Sequence, residues 1–510
     1  AFKKRILDDI GDQDIVSKLI NKRSDNEFLE LMANLGGHCV PTLCDAFNGI
    51  KDDKPTAFIA YTIKGWGTPL AGHKDNHAGL MTKIQMDSFK SKFGITEGNE
   101  WNSFLDAKED LELNEFIKNS PFQKARHRKY NSKKIPVDDI ILITETKIST
   151  QNAFGKILDQ YAKNDTEFGN RIITTSPDVS VSTNLGPWIN KKGLFSRTDS
   201  SDTFRDRKIP SAQKWIFSSQ GQHIELGIAE MNLFLMLGAA GLSHELFGER
   251  LFPIGTVYDP FIARGLDAMN YACYQDARFM IVGTPSGVSL APEGGAHQSI
   301  GTPLIGISQP GLLSYEPAFA DELSIIMNYG FNYLQDENGG SIYLRLTTRS
   351  IEQPIRDINH ELKQNVIKGG YWLRKPGPNP EIIIIYQGVV ASEAVEATGL
   401  LGEKFKDVGV LGITSSDNLF QDWKNKYSSN EKNNKNSHIE DLLKIIPRDT
   451  KIVTVIDGHP MTLSWIGSVF GHKIIPLGVD KFGQTGSLNQ LFSEFAIDSE
   501  SICNLGFNTK

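Results

Sequence analysis

Residues 221–242, GQHIELGIAEMNLFLMLGAAGL, combine small and apolar residues with two glutamates. This composition predicts one buried helix, in which Glu230 is the anomaly. An ionised carboxylate among apolar neighbours costs desolvation free energy unless it has a partner. Two alternatives stay open from the helix alone: a bound ligand is that partner, or Glu230 lies at the helix rim and bonds to backbone or to an arginine.

The overall composition is that of an ordinary globular protein. The 510 residues suit about three domains, with 39% hydrophobic and 23% charged residues. The net charge of −7 gives no general basis for nucleic-acid binding, and the apolar runs are too short to span a bilayer. The four cysteines lack CxxC spacing and no signal-peptide pattern opens the chain. We therefore expect a cytoplasmic protein without disulfides, zinc, membrane or nucleic-acid partners.

Hydrophobic periodicity predicts several α/β units in the chain. Residues 1–50 have helical spacing, and TAFIAYTI at 56–63 predicts a short apolar strand. Between about 138 and 350, strands alternate with helices, which is typical of a mostly parallel sheet with helices on both faces. A further small parallel unit begins near residue 381, whereas the charged residues 89–137 are typical of a linker.

Polar loops follow several predicted strands, and this is where parallel sheets bind ligands. The loop AGHKDNHAGLM at 71–81 contains His73 and His77, and its glycines predict a loop rather than a helix. Surface histidines, a metal site and contact with a ligand phosphate or carbonyl all stay open for this pair. A second loop, EGGAHQ at 293–298, contains His297.

Motifs along nearly the whole chain together resemble one superfamily. ELGIAEMN (225–232), VYDPFIARGLDA (257–268), PEGGAHQS (292–299) and VDKFGQTGS (479–487) resemble the thiamine-diphosphate enzymes of the transketolase superfamily. The chain is most similar to the homodimeric-type pyruvate dehydrogenase component, the decarboxylating subunit of 2-oxo acid dehydrogenase complexes. The motifs that carry this finer similarity are GGH (36–38), YTIKGWG (61–67), KISTQNAF (147–154) and FGQTGSLNQLFSEFAIDSESI (482–502).

The resemblance implies an α/β protein with the thiamine-diphosphate-binding fold, in which parallel sheets carry helices on both faces, plus a transketolase C-terminal domain. The implied domains are the C-terminal part of a diphosphate-binding domain (1–88), a linker (89–137), a pyrimidine-binding domain (138–350), a connector (351–375) and a transketolase C-terminal-like domain (376–510).

The resemblance also implies roles for side chains of the middle domain. Glu230 matches the glutamate that bonds the aminopyrimidine ring of thiamine diphosphate and favours its imino tautomer. Phe261 matches the aromatic that packs on the pyrimidine face, with Tyr258 nearby. His297 matches a loop histidine beside the reacting carbon, where an imidazole stabilises a developing alkoxide or shuttles a proton.

Other roles implied by the resemblance concern the diphosphate and the substrate. His77 matches a histidine that approaches the diphosphate and the substrate, with His73 assisting it. Asp178 matches an acidic residue near the cofactor. Lys64 supplies positive charge to the substrate carboxylate or is an ordinary exposed turn lysine, and Arg264 is a second candidate for binding the substrate.

One part of the family pattern lies outside this sequence. Family members carry, upstream of the strand predicted at 56–63, a GDG motif and a later Asn that hold magnesium against the diphosphate. This chain has neither there, and Asp457-Gly458-His459 lies in another domain. We therefore assign no metal ligand and expect a separate N-terminal polypeptide, or a longer chain, to supply that half. The resemblance also implies a second copy of the subunit, because the family builds each site from two subunits.

The implied reaction is that of an oxidoreductase: thiamine-diphosphate-dependent decarboxylation of a 2-oxo acid, pyruvate or similar, with acyl transfer to the lipoyl group of an acyltransferase partner. Ketol transfer between sugar phosphates is the alternative, since Arg264 and His297 also suit phosphate binding. A non-catalytic assembly subunit is the second alternative. The sequence does not rank 2-oxo acids, because one methylene changes pocket preference by only about 1–3 kcal/mol.

Overall fold

The computed structural model describes residues 2–10, 14–102, 111–120, 132–198, 206–208, 213–428 and 435–508. Parts of the linker predicted at 89–137, residues 103–110 and 121–131, lie outside these ranges. The chain forms two compact units, residues 1–118 and residues 119–510. Within the described ranges, no helix has both the length and the apolar character required to cross a membrane.

The first unit is helical, as predicted for residues 1–50. Its helices are Phe2–Ile10, Asp14–Asn21, Asp25–Ala33, Val40–Asn48, the 3₁₀ turn Lys74–His77, Lys83–Lys92 and Leu111–Asn119. The last of these ends one residue beyond the unit. The strand predicted at 56–63 is wrong: these residues form no strand, and Ile59 is 99% exposed. A strand requires ladder hydrogen bonds to a neighbour, and no described segment of the unit supplies them.

The second unit contains fifteen strands among its described residues. They are β1 (Lys147–Ile148), β2 (Ile172–Ser176), β3 (Leu194–Phe195), β4 (Phe217–Ser218), β5 (His223–Glu225), β6 (Phe252–Val257), β7 (Met280–Gly283), β8 (Leu312–Tyr315), β9 (Ser341–Arg345), β10 (Ile351–Glu352), β11 (Gly370–Arg374), β12 (Ile382–Gln387), β13 (Gly409–Ile413), β14 (Lys451–Ile456) and β15 (Ile474–Leu477).

Helices connect these strands. The middle part contains Thr150–Lys163, Glu167–Arg171, Gly186–Lys192, Glu230–Gly241, Ser243–Leu246, Leu266–Tyr274, Thr302–Ser308 and Ala320–Tyr333, with 3₁₀ segments Asp259–Gly265, Gly287–Glu293 and Gly295–His297. The remainder contains His360–Lys368, Ala391–Gly402, Ser416–Ser428, His438–Leu443, Met461–Ser464, Leu488–Glu494 and Ser499–Asn508, with 3₁₀ segments Gly388–Val390 and Trp465–Ser468.

The eight-stranded sheet has the order β4-β3-β5-β2-β6-β7-β9-β8, and all its pairs are parallel. Alternate residues of its central strands face two cores: Met280 and Val282 pack in one, and Phe279 and Ile281 in the other. Burial on both faces explains why the strands are continuously apolar. The predicted α/β class with a parallel sheet is confirmed.

A second sheet has the order β11-β13-β12-β14-β15, with only the edge pair β11–β13 antiparallel. The strand EIIIIYQG shows the same two-sided burial: Ile382 and Ile384 face one core, and Ile383 and Ile385 face another. The predicted second parallel unit is therefore present, with one antiparallel edge strand that the sequence analysis did not foresee.

The prediction of one buried helix over 221–242 is wrong. Its first residues form β5, which pairs with β2 and β3, and the helix begins only at Glu230. The Gln222 carbonyl accepts the Thr174 N–H at 2.9 Å, so this backbone belongs to the sheet ladder. The helix is also only partly buried, because the side chains of Met231 and Leu235 are 42% and 58% exposed.

Candidate functional site

Four neighbouring strands of the eight-stranded sheet direct their carboxyl ends to one edge. In sheet order these are β5, β2, β6 and β7. The chain after them carries Glu230, Asp178, the segment 258–264 and the loop of His297, respectively. This edge is where ligands bind in open parallel sheets, and the fold brings most of the predicted middle-domain residues to it.

Glu230 is the first residue of the helix Glu230–Gly241, where the helix dipole favours a carboxylate. Its side chain is only 12% exposed and forms an ion pair and hydrogen bond with the guanidinium of Arg264. The same guanidinium lies 3.8 Å from the centre of the Phe261 ring. Arg264 therefore stacks on an aromatic face while it bonds to a carboxylate, and its side chain stays 52% exposed. Of the two partners considered from sequence, the structure shows the arginine.

Three rings form a corner beside this pair. The rings of Tyr258 and Phe261 are nearly parallel, 6.0 Å apart, and His297 meets the Phe261 ring edge-on at 5.4 Å. The Tyr258 hydroxyl donates to Glu293 Oε1 at 3.1 Å. Burial raises the pKa of the Tyr258 hydroxyl. The Nδ1 atom of His297 is buried and has no hydrogen-bond partner among the described residues. The described protein thus leaves the hydrogen-bonding capacity of this nitrogen unused.

Asp178 lies in the turn after β2, in the left-handed backbone region at φ 61°. Its N–H donates to Glu225 Oε1 at 2.8 Å, and the same oxygen accepts the N–H groups of Leu226 and Gly227 at 3.1 and 3.2 Å. Glu225 thus fixes both the Asp178 turn and the turn that leads to the Glu230 helix. The Asp178 residue is exposed, and its role toward a cofactor stays a prediction.

We expect Glu225→Gln to destabilise the protein in a pH-dependent way. Burial opposes the ionised form, but hydrogen bonds from His223, Ser180 and the Asp178 N–H lower the pKa of Glu225 from 4.5 to about 2. Ionised Glu225 therefore adds stability above about pH 4.5 that is lost as the pH falls toward about 2. At neutral pH, the free energy of unfolding of the variant should be about 1–2 kcal/mol lower than that of the wild type.

Urea unfolding measured between about pH 7 and pH 3 checks this expectation, because the gap to wild type should narrow as the solution is acidified. Glu494→Gln, at an exposed position, is the control and should show no such trend. A gap that stays constant or widens below about pH 4 would mean that Glu225 keeps its proton affinity on folding.

In the first unit, the predicted residues gather in the loop after residue 63. Lys64 Nζ donates to His77 Nδ1 at 2.6 Å, and His73 Nδ1 accepts the Asp75 N–H at 3.1 Å. All three predicted side chains, Lys64, His73 and His77, are exposed. His38, the last residue of the GGH motif, stacks on Trp66 with the ring centres 4.6 Å apart. It also accepts the Ile63 N–H at 2.8 Å and so fixes the start of this loop.

Sequence reasoning missed a buried polar network at the sheet edge. Asp259 is fully buried and accepts hydrogen bonds from the side chains of Ser299, Thr302, Tyr343 and Arg345. Arg345 is 2% exposed and also donates to Glu316. Burial opposes the charge of Arg345, but the two carboxylates raise its pKa. The only sequence signal was a charged residue at the end of each of two apolar strands.

Within the ranges that the structure describes, no group of three or more His, Cys, Asp or Glu side chains could hold a metal ion.

Comparison with known proteins gives two family matches. Residues 143–354 match the pyruvate dehydrogenase E1 component middle domain, and residues 369–498 match the transketolase-like TK C-terminal domain. The chain belongs to the transketolase superfamily. The first match contains the eight-stranded sheet and the second contains the five-stranded sheet.

The curated relatives of this superfamily chain are pyruvate dehydrogenase E1 components. The one from Pseudomonas aeruginosa is 25% identical over 94% of this chain and 57% of its own length, and that from Escherichia coli is 24% identical over 92% and 55%. The chain thus spans about half the length of the curated relatives it matches.

Solved structures of the superfamily share the fold. A transketolase from Campylobacter jejuni has a TM-score of 0.65 at 16% identity, covering 92% of this chain and 66% of its own. A transketolase mutant from Pichia stipitis has a TM-score of 0.66 at 19% identity, covering 92% and 65%. At these identities the likeness concerns the fold alone.

Proposed function

We propose that this chain is part of a thiamine-diphosphate-dependent enzyme that decarboxylates a 2-oxo acid, pyruvate or similar, and passes the acyl group to a lipoyl group. The arrangement of Glu230, Arg264 and Phe261 carries the proposal. The Arg264 guanidinium, which is flat and bears nitrogen atoms, lies on the Phe261 ring and bonds to the Glu230 carboxylate. Matches to pyruvate dehydrogenase E1 components support the reaction class.

The residues at this edge fit the cofactor's aminopyrimidine ring. That ring, like a guanidinium, is flat and presents nitrogen-bound hydrogens, so the contacts of Arg264 support the proposal that Phe261 and Glu230 suit such a group. Phe261 and Glu230 would hold the ring, with Tyr258 beside them and Asp178 on the neighbouring strand end. When bound, thiamine diphosphate supplies a nucleophilic carbon and accepts the electrons released as carbon dioxide leaves.

The chain's own side chains have distinct roles in this proposal. Glu230 would hold or release a proton at the ring nitrogen once the side chain of Arg264, which is half exposed, has turned away from it. His297, whose Nδ1 has no partner among the described residues, would hold or donate a proton at the substrate's carbonyl oxygen. The three packed rings keep water from the corner, which strengthens these interactions.

For the loop of the first unit, the proposed roles rest on the sequence motifs. His77 and Lys64, which bond to each other, would serve as an imidazole and a cation for the diphosphate and the substrate carboxylate, and His73 belongs to the same loop. Magnesium, a second copy of the subunit, a polypeptide or segment that carries the metal ligands, and a lipoyl acyltransferase complete the proposed enzyme. Relatives of about twice the matched length support the need for further polypeptide.

Turnover by the native assembly tests the proposal. The assembly is purified through this chain, its polypeptides are identified by denaturing intact-mass spectrometry, and decarboxylation is measured with thiamine diphosphate, Mg²⁺ and an artificial electron acceptor. We expect turnover of pyruvate or 2-oxobutyrate. Turnover only of a ketose phosphate with an aldose acceptor would instead establish ketol transfer. An assembly that contains the metal-binding half and turns over neither would establish a non-catalytic subunit.

A further inference from the structure

The C-terminal domain forms hydrogen bonds with the loop that carries His297. This loop runs from the end of β7 to the helix Thr302–Ser308. Asp457, just after β14, accepts the Val288 N–H at 2.9 Å, and the His459 N–H donates to the Ile300 carbonyl at 2.9 Å. The segment Asp457-Gly458-His459, which offers no metal site by its sequence, therefore holds both ends of the loop.

Gln298, the residue after His297, bonds to the C-terminal domain through its side chain. Its side chain is 6% exposed: Nε2 donates to the Gln484 carbonyl at 2.8 Å, and Oε1 accepts the Gln484 N–H at 3.1 Å. The amide thus pairs with the backbone of Gln484 as a neighbouring strand would. The two backbones also pack closely, since a Cβ added to Gly295 would lie 2.2 Å from the Gly483 carbonyl oxygen.

The start of the loop is held just as tightly. Asp457 is 1% exposed, and a Cβ on Gly287 would lie 2.2 Å from its Oδ2 atom. Gly287 itself has a φ of +61°, a conformation that favours glycine. Only a chain with glycine at 287 and 295 approaches the C-terminal domain in this way.

We propose that the C-terminal domain positions His297 for reaction, with Gln298 as the positioning residue; this rests on the function proposed above. No described side chain bonds to His297 Nδ1, so the imidazole takes its place from the backbone of the loop and from ring contacts. The pair formed by Gln298 fixes that backbone one residue away. Displacement of a reacting group by about 1 Å costs up to a hundredfold in rate, so this fixation bears directly on turnover.

The test replaces Gln298 with leucine, which removes both hydrogen bonds and keeps a similar volume. The chain offers a matched control: buried Gln335 of the middle domain makes the same two-way pair with the backbone of Ile135, at 3.0 and 2.7 Å, away from the His297 loop. We expect Gln298→Leu to speed hydrogen exchange of residues 294–300 about tenfold or more, whereas Gln335→Leu leaves that segment unchanged. Equal exchange in wild type and Gln298→Leu would overturn the proposal.

Turnover of the native assembly gives a second readout. Gln298→Leu should lower kcat about tenfold without changing the thiamine diphosphate concentration that gives half-maximal rate. His297→Ala should lower kcat roughly a hundredfold, and adding Gln298→Leu to it should cause no further loss. A further tenfold loss in the double variant would show that Gln298 acts otherwise than through His297.

Two outcomes separate this proposal from the function on which it rests. If the wild-type assembly turns over no 2-oxo acid, the proposed function fails, and the exchange of residues 294–300 alone decides whether the C-terminal domain holds the loop. If Gln298→Leu does not fold, Gln298→Glu replaces it, because that variant keeps the acceptor and loses the donor. It should then show faster exchange in the same segment.

Discussion

Glu230→Ala should lower turnover of the assembled enzyme by roughly a thousandfold or more, within the range of general acid–base catalysis. The carboxylate is the only group on its helix end that can exchange a proton with a bound aminopyrimidine in the proposed site. The fold should survive, because Glu230 lies at the first helical position and its partner Arg264 is half exposed. Steady-state rates with a 2-oxo acid and an artificial electron acceptor provide the measurement.

Two further variants make the Glu230 result specific. Glu230→Gln keeps the shape but cannot exchange the proton, so it should lose nearly as much activity as Glu230→Ala. Glu249→Gln breaks an ion pair with Arg171. These two residues precede β6 and β2 and so lie at the opposite edge of the sheet from the site, and the variant should retain wild-type rates. Near-normal activity of Glu230→Ala would remove the central assignment, whatever the fold shows.

The sequence predicted the fold where burial is two-sided and local. The strand Ile382–Gln387 begins with four isoleucines because both of its faces are covered, and the sequence alone marks it. The failures concern segments whose structure depends on distant neighbours. Residues 56–63 are apolar but lack a described pairing strand, and residues 223–225 join the sheet because the backbones of β2 and β3 lie beside them.

The candidate site divides in the same way. The sequence predicts Glu230, Phe261, Tyr258 and His297 because each lies within a recognisable motif at a strand end, and their roles stay predictions. Gln298 lies in the same motif, yet its role depends on Gln484, 186 positions later, and no local pattern reveals this pairing. The buried network was missed for the same reason, since Asp259 and Arg345 are 86 positions apart.

Asp259→Ala should produce the largest loss of stability, about 3–5 kcal/mol in the free energy of unfolding. Asp259 is fully buried and balances Arg345, which is 2% exposed. Its removal leaves Arg345 with Glu316 as its only ion-pair partner in the described structure and takes the acceptor from the hydroxyls of Ser299 and Thr302. Urea unfolding followed by circular dichroism measures the loss.

A matched surface variant shows whether burial is the cause. Asp336→Ala breaks an ion pair with Lys134 in which both side chains are more than half exposed, so it should cost about 1 kcal/mol or less. Asp259→Asn keeps the shape without the charge and should fall between the two. If Asp259→Ala costs no more than Asp336→Ala, the network does not stabilise the fold. If it costs the expected amount, the same residue links stability to the site, because Ser299 lies two residues from His297 and its hydroxyl would lose the acceptor that Asp259 provides.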